Sequence, residues 1–474
     1  NILLGFLHIL FCKLVYYMDE DFFNNELIEG FEQMLDNREY KYYDSEDLVE
    51  IIEFYLEVND SEYAKRALDF AEKMHPENID IKIKRIEYLL VINELKKAAK
   101  LIQDLKDLAA NELDYSLVQA RFWGLKNMPR KAISFYEDAL LLDDEETDFI
   151  CNCIGNEYLN LDEVHSALIA FRKALKFNPE NDYSFYSIIQ CYEEIHNPDE
   201  CIEFLKDFID DNPYSEVAWL QLGLLYNHKK MYAEAINALD YVIAINPNSI
   251  AGHANKAASL EELGDYNQAI ETLEETLEYD DSPAVTHLKI GELYEKLEKP
   301  QKALKSYHIA IKEDPQLDKV WAKSASLYDK LGNLDEAEYY IHRAIELDDN
   351  NPEYYTNQTY YFLKLMKFEE AIKSLMKLVE LKPLVFNSWY AYVETLIAIG
   401  EYEQAVAVIT GGALKHFNRA EFFYQLSNVY YLLDQNQLGN EALANALSLD
   451  RNIKDMMIEH YPILMDKIED LSQE

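Results

Sequence analysis

The chain has 474 residues, 49% of them hydrophobic and 13% aromatic, with 88 acidic against 44 basic side chains for a formal charge of −44. The hydrophobic content excludes a disordered chain. The excess of acid argues against nucleic acid, which is bound by neutralising phosphates, and against docking on anionic lipid, while it permits basic partners.

In chain order, the first seventeen residues, NILLGFLHILFCKLVYY, are apolar except for His8 and Lys13. The stretch is about three residues short of a comfortable membrane span, and it lacks the basic leading region and small-residue cleavage site of a secretory signal. Met18 follows, so the expectation is that translation begins there and that residues 1–17 are not native. The alternative is a short anchor, which would make the chain a membrane-tethered assembly or secretion factor. Residues 18–44 read as an N-terminal capping helix. Residues 19–62 carry sixteen Asp and Glu against two Lys and Arg. That density suits a solvated face, and a dock for a basic segment is the sharper alternative.

From residue 45 a period takes over. Counting from Ala235, a small residue recurs every 34 positions: Ala269, Ala303, Ala337, Ala371, Ala405 and Gly439 forward, Cys201 and Ala167 backward. One extra residue near Thr147 shifts the frame, after which Ala132, Ala98 and Ala64 follow. Nine residues before each stands a ring or Leu, as at Tyr158, Tyr226 and Tyr294; four after stands Leu, Ile, Tyr or Phe; seven after, a small or apolar residue returns. Steps of three and four mark one face of a helix. Twelve after, proline closes six of the repeats, at Pro76, Pro179, Pro213, Pro247, Pro315 and Pro383, where it ends one helix before the next begins. A fixed period of this length signals repeats that bury their apolar faces only against their neighbours.

The pattern resembles the tetratricopeptide repeat, whose Trp, Leu-Gly, Tyr, Ala and Pro positions are matched by Trp219, Leu222, Gly223, Tyr226, Ala235 and Pro247. Gly291, Tyr294, Ala303, Tyr307, Ala310 and Pro315 match again, as do Gly155, Tyr158, Ala167, Phe171, Ala174 and Pro179. The resemblance implies an all-α solenoid, a right-handed superhelix of antiparallel helix pairs. The frame divides 45–453 into twelve repeats: 45–78, 79–112, 113–146, 148–181, 182–215, 216–249, 250–283, 284–317, 318–351, 352–385, 386–419 and 420–453. Residues 454–474 are left for a C-terminal capping helix. The repeat at 79–112 departs from the pattern, with Ile86 at a small position and no closing proline. The one at 386–419 has Gly411-Gly412 inside its second helix, where each glycine disfavours the helix by about 1 kcal/mol.

No phosphate-binding loop, dinucleotide fingerprint, nucleophile elbow or zinc-protease motif occurs, so no catalytic residue, cofactor or enzyme activity is expected. Cys151, Cys153, Cys191 and Cys201 lack the spacing of a zinc site. Three of them occupy packing positions of the repeat, so no metal is expected, and free buried thiols suit the reducing cytoplasm.

The resemblance implies that the first helix of each pair lines an inner face, through the second, fifth, ninth, twelfth and thirteenth positions of the repeat. Two groups there combine amide or carboxylate side chains with tyrosines. One is Asn152, Asn156, Asn160, Tyr183, Tyr186 and Gln190; the other is Tyr360, Tyr390, Glu394, Tyr424, Asn428 and Tyr431. Amides can pair with a peptide backbone, and tyrosine offers stiff apolar contact with one hydroxyl. The expected function is a non-catalytic scaffold or adaptor that takes up protein or peptide segments, with basic ones favoured. The first repeats show Val49, Glu53, Ile83 and Glu87 where chaperone-binding relatives carry a basic and asparagine carboxylate clamp. Only Asn255 and Asn357 stand where the sugar-transferase relatives carry an asparagine ladder. The sequence does not set the oligomeric state.

Overall fold

The computed structural model describes residues 25–37, 41–142 and 146–471. The apolar leader at 1–17 and the start of the N-terminal capping segment lie outside the described residues. Every regular element among the described residues is helical. The chain divides into two bodies, 1–207 and 208–474, and each is taken by itself.

In the first body a helix at Asn25–Asn37 precedes the pairs Ser45–Glu57 with Ser61–Met74, Ile79–Val91 with Leu95–Leu105, Leu113–Leu125 with Pro129–Ala139, and Thr147–Leu159 with Val164–Phe177. Asp182–Glu194 follows, and the helix Pro198–Asp211 carries the division between the two bodies. The second body holds the pairs Glu216–His228 with Tyr232–Ile245, Ile250–Glu262 with Tyr266–Glu274, Pro283–Lys296 with Pro300–Glu313, Asp318–Lys330 with Leu334–Leu347, and Pro352–Lys364 with Phe368–Leu381. Phe386–Ala398 with a broken partner and Ala420–Leu432 with Asn436–Leu449 complete it. Within each body a helix packs on its neighbours in sequence, and first helices of consecutive repeats also meet, as Ser45–Glu57 meets Ile79–Val91 and Glu216–His228 meets Ile250–Glu262. This is a tetratricopeptide-like all-α solenoid arrangement.

Local chemistry sets the ends of the helices. The last residue of a repeat caps the first helix of the next: Asn78 accepts from the amide of Ile81 at 2.9 Å, Asn181 from Ser184 at 2.9 Å, and Ser215 from Ala218 at 3.3 Å. Each satisfies an amide that the helix itself leaves open. Between the paired helices one residue turns left-handed, at Asn59, Asn93, Asn127, Asp162, His196, Lys230, Gly264, Glu298, Gly332, Met366, Gly400 and Asp434. Glycine marks this turn most strongly in the sequence, and Asn or Asp, which tolerate the conformation, mark it more weakly. The interval is 34 residues throughout except between Asn127 and Asp162, where the extra residue near Thr147 falls.

The tryptophans of the pattern fasten one repeat to the next. The indole N–H of Trp219 donates to the carbonyl of Pro213 at 3.0 Å, that of Trp321 to Pro315 at 3.0 Å, and that of Trp389 to Pro383 at 2.9 Å. Proline ends one repeat, and the next repeat's ring holds its carbonyl.

The repeating small residues are the closest points of packing. Ala167, Ala235, Ala303 and Ala371 are fully buried. Gly155 faces Phe171, and a Cβ there would lie 2.5 Å from Cε1 of that ring; at Gly223 it would lie 2.8 Å from Leu239. Two departures have local causes. The second helix of the repeat at 386–419 ends at Val408 and widens into a π turn at Ile409–Ala413, where Gly412 leaves room for the Trp389 ring. The C-terminal segment, expected as one helix, is two, Lys454–His460 and Ile463–Leu471. They are separated at Pro462, which cannot continue the first.

Gly155→Ala is expected to lower stability by about 1–3 kcal/mol through overpacking against Phe171, seen as a lower urea midpoint. Helix propensity alone would move the midpoint the other way by about 1 kcal/mol, so the sign decides whether the ring can yield.

Candidate functional site

Three carboxylates at inner positions of the first body share one lysine: the Lys84 ammonium is 2.5 Å from Glu53, 3.5 Å from Glu87 and 3.4 Å from Asp114. Lys84 is 5% exposed. Burial pulls its pKa down, but the three carboxylates outweigh burial and hold it above the usual lysine range. Arg121 adds a further pair to Glu87. Inner charges of three consecutive repeats are thereby joined.

The first predicted group lies in the repeats at 148–181 and 182–215, and the structure divides it. Asn152 is buried, and its Oδ1 accepts from Ser184 Oγ at 2.7 Å. Asn156 accepts from the Tyr183 hydroxyl at 2.6 Å, and the Tyr183 ring meets Phe171 edge-on. These side chains join one repeat to the next. Asn160 is exposed and donates to Glu157 at 3.3 Å; Glu157 is itself buried, which pushes its carboxyl pKa up. Tyr186 remains 47% exposed. One turn further along, exposed Gln190 donates to Glu194 at 3.1 Å. The accessible part is therefore Tyr186, Gln190 and Asn160.

In the second body, inner carboxylates meet lysines of the following repeat. Glu261 receives Lys296 at 2.9 Å and Lys289 at 2.8 Å; Glu295 receives Lys330 at 2.8 Å; Asp329 receives Lys364 at 2.8 Å. Each twelfth-position acid pairs with the thirteenth-position lysine one repeat on. A second rung joins Glu292 to Lys323 at 2.9 Å. Burial raises the Glu261 pKa, and the hydrogen bonds from Lys289 and Lys296 more than reverse this, so it ends below the usual carboxylate value. Tyr360, 47% exposed, stands at the end of this ladder with the Lys364 ammonium 4.2 Å from its ring centre.

The rest of the second predicted group meets the chain's own C-terminal segment. Tyr424, Asn428 and Tyr431 are buried. Tyr424 and Tyr431 belong to one apolar cluster with Met457, Tyr461, Leu464 and Ile468. The Tyr431 hydroxyl donates to Asn440 at 2.6 Å. Tyr390 packs on Phe386 and Phe422. Glu394 gathers three donors: the Gln425 amide, the Tyr461 hydroxyl, and His460 Nε2 at 2.7 Å. Of this group, Tyr360 stays half exposed beside Lys364, while Glu394 and the buried tyrosines hold the C-terminal helices.

Tetratricopeptide family models match residues 150–181, 228–289 and 288–352. The chain carries tetratricopeptide repeats. No curated protein matches it. Among solved structures, it resembles the C-terminal part of a TPR repeat-containing protein from Cytophaga hutchinsonii at 19% identity, covering 51% of this chain and 98% of that one, with a TM-score of 0.40. It also resembles MamA from Desulfovibrio magneticus RS-1 at 20% identity over 35% of this chain and 93% of that one, TM-score 0.32. A third likeness is to the APC/C hetero-tetramer Cut9-Hcn1, at 13% identity over 88% of this chain and 92% of that one, TM-score 0.34.

Within the tetratricopeptide frame the cysteines are packing residues. Cys151, Cys153, Cys191 and Cys201 are buried and carry no disulfide. Burial, with Glu194 adding to it, pushes the Cys191 thiol up to about 11; burial, with Glu193, pushes Cys201 up to about 12. Such thiols are poor nucleophiles and poor ligands at neutral pH. Among the described residues no group of His, Cys, Asp and Glu is placed to hold a metal ion, and no helix is long and apolar enough to cross a membrane.

Sequence reasoning missed the lysine ladder and the Glu394 cluster. The ladder had a signal, an acid at the twelfth position before a lysine at the thirteenth of the next repeat, three times in succession. The Glu394 cluster had none, because His460 and Tyr461 lie past the last repeat.

Two outcomes follow from these contacts. A carboxylate with a depressed pKa contributes stability above its unfolded value and loses it as pH falls through the lower folded value. Glu261→Gln should thus lower the urea midpoint at neutral pH, with the difference from wild type shrinking below about pH 4. Tyr461→Phe removes a hydrogen bond to a carboxylate, an interaction of about 1.5–3 kcal/mol. Amide hydrogen exchange should rise across 454–471 and stay unchanged across 148–160.

Proposed function

We propose that this chain is a non-catalytic scaffold that takes up protein or peptide segments along the first-helix faces of its tetratricopeptide repeats. The observation that carries the reading is Tyr186. Its ring stays half exposed on a helix whose opposite face is buried through Phe185, Ile188 and Tyr192. A large ring on a rigid support binds with little loss of conformational freedom. Gln190, one turn along the same helix, supplies a polar edge beside it, and Asn160 offers an exposed amide on the preceding repeat. Tyr360 offers a second ring of the same kind in the second body. Exposed Glu193 and Glu194 beside Gln190 favour a segment with Lys or Arg. The ladder from Glu261 to Lys364 does not share that preference, because its acids are already paired. Four buried, unbridged thiols suit a reducing compartment, and the reading assigns the chain to the cytoplasm.

The test is affinity capture with the full chain and with a Tyr186→Ala/Gln190→Ala variant, followed by identification of the bound proteins. Loss of a specific partner from the variant, with unchanged circular dichroism, is expected. The same partners held equally by both would remove this face from the reading.

A further inference from the structure

A cleft of about 530 Å³ opens beside the second helix of the repeat at 284–317. One wall is a stripe of that helix, Gln301, Lys305, His308 and Lys312, spaced four, three and four residues apart so that all project from one side. The other wall is Tyr328 and Leu331 from the end of the next first helix, with Asn333 from the turn. The cleft lies on the second-helix side, and none of its lining residues stands at an inner position.

Its charge is contrary to that of the chain. Residues 296–330 hold eight lysines and five carboxylates, although the protein as a whole has twice as many acids as bases. Lysines 289, 296, 323, 330 and 364 are each bonded to a carboxylate of their own or a neighbouring repeat. Lys305 and Lys312 have no carboxylate partner among the described residues, and both are exposed. The wall between them is held in place: His308 Nε2 lies 2.9 Å from the Tyr340 hydroxyl and 3.2 Å from that of Tyr328. The imidazole stacks on Tyr340 with centroids 6.0 Å apart. This fixes the second helices of two adjacent repeats against each other, so the cleft does not have to form when a ligand arrives.

We infer that this cleft binds an acidic peptide segment of a partner protein, with two carboxylates on Lys305 and Lys312 and an apolar residue between them on Leu304 and Leu331. The geometry sets the spacing. Seven residues of helix separate the Cα atoms of Lys305 and Lys312 by about 10.5 Å along the axis. A peptide in the polyproline II conformation rises about 3.1 Å per residue with about three residues per turn, so side chains three apart lie on one face at roughly that distance. The segment therefore carries Asp or Glu three positions apart. The sign is opposite to the basic preference of the inner face, so one chain holds partners of two charge types on different faces.

The test uses the full chain and two fluorescein-labelled peptides, Gly-Glu-Ala-Leu-Glu-Gly and Gly-Lys-Ala-Leu-Lys-Gly, read by fluorescence anisotropy at low and high salt. The acidic peptide should bind saturably, weaken with salt, and lose roughly tenfold or more in affinity on Lys305→Glu/Lys312→Glu. Lys319→Glu, an exposed charge reversal outside the cleft, should change affinity by no more than about twofold. Equal binding of the lysine peptide, an equal loss from Lys319→Glu, or no saturable binding of the acidic peptide by a folded chain would each overturn the proposal. Because neither lysine belongs to the inner face, partner capture through Tyr186 should be unaffected by the double variant, which keeps this result separate from the reading above.

Discussion

A small side chain every 34 residues is the constraint on which the structure depends. No single pair of helices here encloses enough apolar surface to fold alone, so each must come close to the next pair along much of its length. Gly155 against Phe171 and Gly223 against Leu239 show how close that approach is: even one carbon at the glycine would sit inside the neighbouring side chain. The left-handed turns and the tryptophan bonds to proline carbonyls keep that approach in register. The turns set the angle at which the two helices of a repeat meet, and the indoles hold the end of one repeat to the start of the next.

Once the helices are that close, side chains on the first helices are within reach of those one repeat away, and this changes what the charges do. A formal charge of −44 suggests an open acidic face. Instead, Glu261, Glu295 and Asp329 each hold a lysine from the following repeat, and Lys84 holds three carboxylates at once. Part of the acid and part of the neighbouring lysine is thereby used inside the stack. What is left to interact with other molecules is set by which residues lack a partner. Tyr186 and Tyr360 keep exposed rings, and Lys305 and Lys312 keep free ammonium groups.

The end of the chain obeys the same rule in another way. After the last repeat an apolar face is still open. The two helices at 454–471 cover it with Met457, Leu464 and Ile468, while Tyr461 and His460 reach back past the intervening first helix to Glu394. The inner face of the last repeats is consequently a cap-binding surface for the chain's own segment. The same residue types, tyrosine beside carboxylate and amide, look identical in sequence whether the segment they hold belongs to this chain or to a partner.

The period, the small positions, the closing prolines and the family they resemble were all legible in the sequence, because periodicity of packing must be written in side-chain size. So was the slip of one residue near Thr147. The left-handed turns were legible most clearly at Gly264, Gly332 and Gly400 and more weakly where Asn or Asp stands, whereas Lys230, Glu298 and Met366 carry no local sign of that conformation. Partnership was not legible. Asn152 and Tyr186 both stand at inner positions, yet the first is consumed by Ser184 and the second is left open, and only the distance to the adjoining repeat separates the two cases. The sequence by itself determined which residues repeat and therefore which helices stack. The tertiary structure alone decided which polar groups remain available, because a hydrogen bond depends on where its partner lies in space and the period along the chain does not contain that information.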